Sequence, residues 1–136
     1  MGNNIFSIGI LHMKTIVIIG AILGLTSIIM GAASDHFFSE FVTVDNAKRL
    51  DTALRYHQLY AILIFCVGLY GLKTQPHPTL KWASYAFCLG VVIFSGSLYA
   101  SLLPSLSWII FMTPLGGMTI MVGWLLCIIN ALLQRV

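Results

Sequence analysis

Residues 82–134 read WASYAFCLGVVIFSGSLYASLLPSLSWIIFMTPLGGMTIMVGWLLCIINALLQ, fifty-three positions without one Lys, Arg, Asp or Glu. A soluble domain carries about 25% charged residues, because its outer surface has to be hydrated. Fifty-three uncharged residues are too many for one buried helix in a soluble protein of 15.0 kDa. They do hold two membrane spans, each of which needs about 20 apolar residues. Pro104 and Pro114 divide the stretch. Proline lacks an N–H and clashes inside a helix, so Pro104 closes the first of the two spans. Thr113-Pro114 resembles a helix start, with threonine as cap and proline at the first helical position. The expected spans are therefore 82–102 and 114–133. Residues 105–112, with Trp108, Ile109, Ile110 and Phe111, are too apolar for a free loop. They either add a turn to the last helix, kinked at Pro114, or lie along the interface; the kinked continuous helix is the favoured reading.

Working toward the N-terminus, Lys81 and Trp82 form an interface anchor, a snorkelling amine beside an amphipathic ring. Residues 73–79, KTQPHPT, contain two prolines one residue apart and make a turn. Before it, 56–72 is uncharged and forms another span. Residues 46–58 lack Gly and Pro and extend that helix outward, with Asp45 or Thr43 as cap. Asp51 and Arg55 form an i,i+4 acid-to-base pair in the favourable order. All four acids, Asp35, Glu40, Asp45 and Asp51, fall in this one polar connection. The first span covers 15–33 and exceeds the about 7–15 apolar residues of a signal-peptide core, so it is expected to be retained. Residues 1–13 are either a frayed extension or a short interfacial segment. The whole chain, 59% hydrophobic and 8% charged, thus reads as one all-α domain, 1–136: an integral membrane bundle of four transmembrane helices.

An even number of spans places both termini and the 73–81 turn on one side, with Lys14, Lys73, Lys81 and Arg135. The other side holds Lys48, Arg49 and Arg55. The positive-inside rule counts Lys and Arg and gives little weight to acids. Both termini are therefore expected on the cytoplasmic side.

Helices in lipid associate through close backbone approach rather than apolar burial, so stripes of small residues mark their contacts. Gly20, Gly24, Ser27 and Gly31 make one stripe; Gly116, Thr119, Gly123 and Cys127 make another; Ala83, Ala86, Gly90 and Ser97 make a third. Ala61, Gly68 and Gly71 form a weaker one. The expected packing positions are Gly20, Gly24, Gly31, Gly90, Gly116 and Gly123.

Ionisable groups at membrane depth are the first place to seek function, and here they are scarce. Asn130 is the one amide deep in the uncharged C-terminal stretch and reads as a cross-helix hydrogen-bonding group. Asp35 and His36 end the first span, while Arg55, Tyr56 and His57 begin the second at similar depth. These five form the candidate partner or ligand site. No ligand spacing points to a metal, and no cofactor is expected. Cys66, Cys88 and Cys127 are widely spaced in apolar runs and read as small hydrophobes. A net charge of +3 without a basic cluster offers nothing for nucleic acid. A phosphate loop, an HExxH pair and a nucleophile elbow are all missing from the sequence, and Ser95 and Ser97 have no base beside them. An enzyme is not expected.

Four segments resemble the small four-helix membrane family, classed as a domain of unknown function, that includes bacterial inner-membrane members and the eukaryotic transmembrane protein 256. They are Gly31-Ala-Ala-Ser-Asp-His36, Leu54-Arg-Tyr-His-Gln-Leu-Tyr-Ala61, Leu89 through Phe94-Ser-Gly-Ser-Leu-Tyr99, and Thr113-Pro-Leu-Gly-Gly117 with Gly123-Trp124. The family's first motif usually ends glycine-alanine-histidine, where this chain has Ser34-Asp35-His36. Its second usually carries a histidine where this chain has Tyr60. The resemblance implies the four-span topology, a plasma-membrane location (the inner membrane of a bacterium), and no activity. Two functions remain: a non-enzymatic accessory, assembly or structural component, or a small oligomeric transporter or channel lined by Ser95, Ser97 and Thr119. The expected partners are membrane lipids, another membrane protein, or further copies of the chain as a homo-oligomer.

Overall fold

The computed structural model describes residues 2–37, 43–74 and 77–133, with side chains in the first helix described from Gly9 to Ser34. Four α-helices follow one another: α1 (Gly2–Phe37), α2 (Val44–Lys73), α3 (Pro78–Ala100) and α4 (Thr113–Leu133), with a 3-10 segment at Pro104–Met112. Among the described residues, four stretches are long and apolar enough to cross a membrane: Gly9–Ser34, Val44–Lys73, Pro78–Ala100 and Pro104–Leu133. The outward side chains are large and apolar, with Ile18, Ile62, Val92 and Leu125 exposed on α1 to α4 in turn. That surface matches lipid rather than water. The fold is an all-α, four-span membrane bundle.

The helix ends follow local chemistry. Thr43 caps α2, its hydroxyl accepting from the Asn46 N–H at 3.3 Å; of the two expected caps, threonine serves. At α3, His77 occupies the cap and Pro78 the first turn, where a missing N–H costs nothing. The junction before α4 differs from the expected cap. Thr113 is itself helical, at φ −54° and ψ −45°, and its N–H bonds to the Ile110 carbonyl. The reason lies in Pro114, which has no N–H to give that carbonyl the usual i−4 bond. Thr113 takes it instead, and the chain winds as a 3-10 turn until the proline is passed. Residues 105–112 therefore run into α4 without a break.

The four helices are paired as two hairpins, α1 with α2 and α3 with α4, joined mainly through α2 against α3. Among the described residues α1 and α4 do not pack on each other. Glycines set the close approaches. A Cβ on Gly20 would lie 2.6 Å from the Phe65 nitrogen, and one on Gly68 2.9 Å from the Val17 nitrogen. On the second hairpin, Gly90 meets Ile120, Gly116 meets Phe94, and Gly123 receives the Phe87 ring. Gly24 and Gly31 stand apart: among the described residues nothing lies within 4 Å of a Cβ built on either. Among the described residues they are not close-approach positions; the backbones of α1 and α2 come nearest between Met13 and Gly20, and beyond that side chains such as Thr26 and His57 bridge them. Gly68 and Gly71, on the stripe with the weakest sequence signal, instead hold that contact from the α2 side. The core unites Ile16, Tyr60, Ile64, Ala83, Phe87, Val91 and Ile120, drawn from all four helices.

Candidate functional site

The three expected site residues on α2 point three ways. Arg55 lies on the outside and pairs with Asp51 at 2.8 Å; both side chains are mostly solvent-exposed, at 73% and 67%. Such a pair contributes about 0–1 kcal/mol. Tyr56 stacks on Tyr60 and packs against Phe94, ring centroids 4.5 Å apart. His57 turns inward and is 7% exposed. Asp35 and His36 belong to the last turn of α1, but their side chains lie outside the described residues, as does Arg135. The structure thus separates Arg55 from His57, and the imidazole is the group that reaches the interior.

His57 joins three helices. Its Nε2 lies 3.3 Å from Thr26 Oγ1 on α1, and its Nδ1 lies 3.3 Å from the Tyr99 hydroxyl on α3. Thr26 donates its own proton to the Ile22 carbonyl at 2.9 Å, so its oxygen accepts from imidazole. That places the ring proton on Nε2 and leaves Nδ1 to accept from the Tyr99 O–H. The chain of bonds is complete with a neutral ring: Tyr99 to His57, His57 to Thr26, Thr26 to backbone. Sequence reading singled out His57 without these partners. Tyr99 sat inside a quoted motif, while nothing in the sequence marked Thr26, whose bonds depend on the packing of α1 against α2.

Other interior polar groups close on one another in the same way. Trp124 Nε1 donates to the Tyr60 hydroxyl at 2.9 Å, linking α4 to α2. Thr79 donates to Asn130 Oδ1 at 3.0 Å, the cross-helix bond expected of that amide. Ser97 Oγ lies 2.6 Å from Thr113 Oγ1 and donates to the Phe94 carbonyl. On the exposed surface, His12 Nδ1 and the Tyr85 hydroxyl meet at 2.8 Å between α1 and α3. Thr119 bonds back to Leu115, so two of the three hydroxyls considered as a pore lining are already bonded within the bundle. Ser95 Oγ is buried without a partner. Among the described residues no three His, Cys, Asp or Glu gather as a metal ion would require.

This arrangement defines a class: a four-span helical membrane protein whose buried polar side chains bond to backbone carbonyls within a helix or to side chains of a neighbouring helix. The particular family follows from comparison with known proteins. The model for a family described as "Protein of unknown function (DUF423)" matches residues 30–117, and the chain belongs to that family. A UPF0382 membrane protein of Haemophilus influenzae is 30% identical over 105 residues, covering 77% of this chain and 83% of that protein. The UPF0382 membrane protein YwdK of Bacillus subtilis is 29% identical over 119 residues, 88% of this chain and 97% of its own. The UPF0382 inner membrane protein YgdD of Escherichia coli K12 is also 29% identical, over 88% of this chain and 90% of its own. No solved structure matches the chain.

Proposed function

We propose that the protein is a non-enzymatic accessory or assembly component of the bacterial inner membrane, with both termini in the cytoplasm. The observation that carries this reading is the Tyr99–His57–Thr26 chain, which spends the one buried imidazole among the described residues on holding α1, α2 and α3 together. The Trp124–Tyr60 and Thr79–Asn130 bonds tie α4 into the same scaffold. Polar groups matched in this way fix helix positions in lipid, which suits a protein that presents fixed outer faces to a neighbour. The name of the Escherichia coli relative supports the location. A relation to the eukaryotic transmembrane protein 256 is part of this reading, and rests on the segments 94–99 and 113–117. A structure of that protein should then show its third and fourth helices crossing at the paired glycines of the latter segment.

Isolation of the native protein in mild detergent tests the function. Another membrane chain, recovered at constant stoichiometry and lost when the outer face of α1 or α4 is altered, is the expected result. A homo-oligomer that conducts ions or solutes in reconstituted vesicles would overturn it.

A further inference from the structure

Helix α2 has 30 residues, about 45 Å at 1.5 Å each, against a hydrocarbon layer of about 30 Å. Its polar first turns therefore stand at headgroup level, beside the end of α3. Asp45, Lys48, Arg49 and Thr52 recur there at helical spacing and share one face. Together with Leu98, buried in the last turns of α3, they line an open pocket of about 300 Å³. Among the described residues neither Lys48 nor Arg49 forms an ion pair. Thr52 donates its hydroxyl proton to the Lys48 carbonyl at 2.9 Å, so its oxygen can only accept a further bond. Asp45, ionised, also only accepts. The pocket therefore offers two cationic donors, two acceptors and an apolar wall.

We propose that this pocket binds a phospholipid headgroup of the phosphoethanolamine type. Arg49 and Lys48 hold the phosphodiester, the guanidinium suited to two parallel bonds and the ammonium to a point charge. Asp45, on the outermost turn of the pocket, receives the headgroup ammonium, and the acyl chains leave past Leu98 along the apolar sides of α2 and α3. A glycerol headgroup supplies no cation for Asp45. A choline headgroup supplies a cation with no N–H to donate to Asp45.

Native mass spectrometry of the full chain in detergent, titrated with phosphatidylethanolamine, phosphatidylglycerol or phosphatidylcholine of matched acyl chains, tests the site. Phosphatidylethanolamine should bind about tenfold more tightly than phosphatidylcholine. Lys48→Ala with Arg49→Ala should weaken it by about the same factor. Asp45→Asn should remove the preference over phosphatidylglycerol while binding of phosphate-bearing lipid persists. Should the double variant lose helicity, Lys48→Gln at an exposed side chain supplies the comparison, and Arg55→Ala outside the pocket should leave binding unchanged. The proposal fails if all three lipids bind alike. It also fails if the charge variants bind as the parent does, or if inorganic phosphate displaces the lipid at equal concentration, since the ligand would then be the free anion.

Discussion

At the residue scale, two glycines of similar appearance have opposite environments. A Cβ on Gly116 would lie 2.7 Å from the Phe94 Cα and 2.9 Å from the Gly90 oxygen, and backbone cannot step aside as a side-chain tip can. Gly116→Ala should therefore cost about 1–3 kcal/mol through forced displacement of α4 from α3, seen as a lower unfolding midpoint in detergent. Gly24→Ala meets open space and should be neutral, or gain up to about 1 kcal/mol from the better helix propensity of alanine. Equal losses in both variants would mean that Gly24 is covered by something outside the chain. The imidazole at position 57 permits a second measurement. Tyr99→Phe removes the donor to Nδ1, and a double-mutant cycle with His57→Phe should give a coupling of about 0.6 kcal/mol, the usual size for such bonds in membrane bundles. A coupling of zero would mean that the 3.3 Å approach carries no energy.

Elements show why some of this could be read from sequence and some could not. The fifty-three uncharged residues and the prolines at 104 and 114 made the last two spans legible, because composition alone decides what can face lipid. The 3-10 winding of Pro104–Met112 was not legible: the missing Pro114 N–H is visible in sequence, but not which donor replaces it. Small-residue spacing likewise shows where helices are able to touch, not where their axes cross. Gly20 and Gly31 share a stripe, and only the first lies in the crossing. His57 was found as a candidate, whereas its partners depended on the parallel register of α1 with α3, which no local pattern encodes. The proline argument can be tested directly. Pro114→Ala restores an N–H for the Ile110 carbonyl and should convert the turn before it from 3-10 to α. Backbone carbon chemical shifts of residues 109–112 should move toward α-helical values, and the Ser97–Thr113 contact should lengthen as Thr113 rotates. Unchanged shifts would show that packing of the segment, rather than the proline, sets its winding.

The whole molecule poses the question of orientation, which hangs on a narrow margin of charge. Four spans put Lys14, Lys73, Lys81 and Arg135 on one side and Lys48, Arg49 and Arg55 on the other. The acids, clustered with the second group, count for little in insertion, and the proposed orientation follows from the four cations against three. A fluorescent reporter that folds only in the cytoplasm should light up when fused to the C-terminus, and a phosphatase active only outside should stay silent there. Reversing the margin is the stronger test. Lys73→Gln with Lys81→Gln leaves two cations on the terminal side against three, and should give a mixed or inverted population by the same two reporters. Lys81 should contribute more than its charge, since it flanks the span beside Trp82 and comes within 3.5 Å of the Cβ position of Gly9 on α1. Lys73 is exposed at the end of α2. If Lys81→Gln alone disturbed the orientation as much as the double variant, the anchor beside Trp82 would outweigh the count of charges in setting how the bundle inserts.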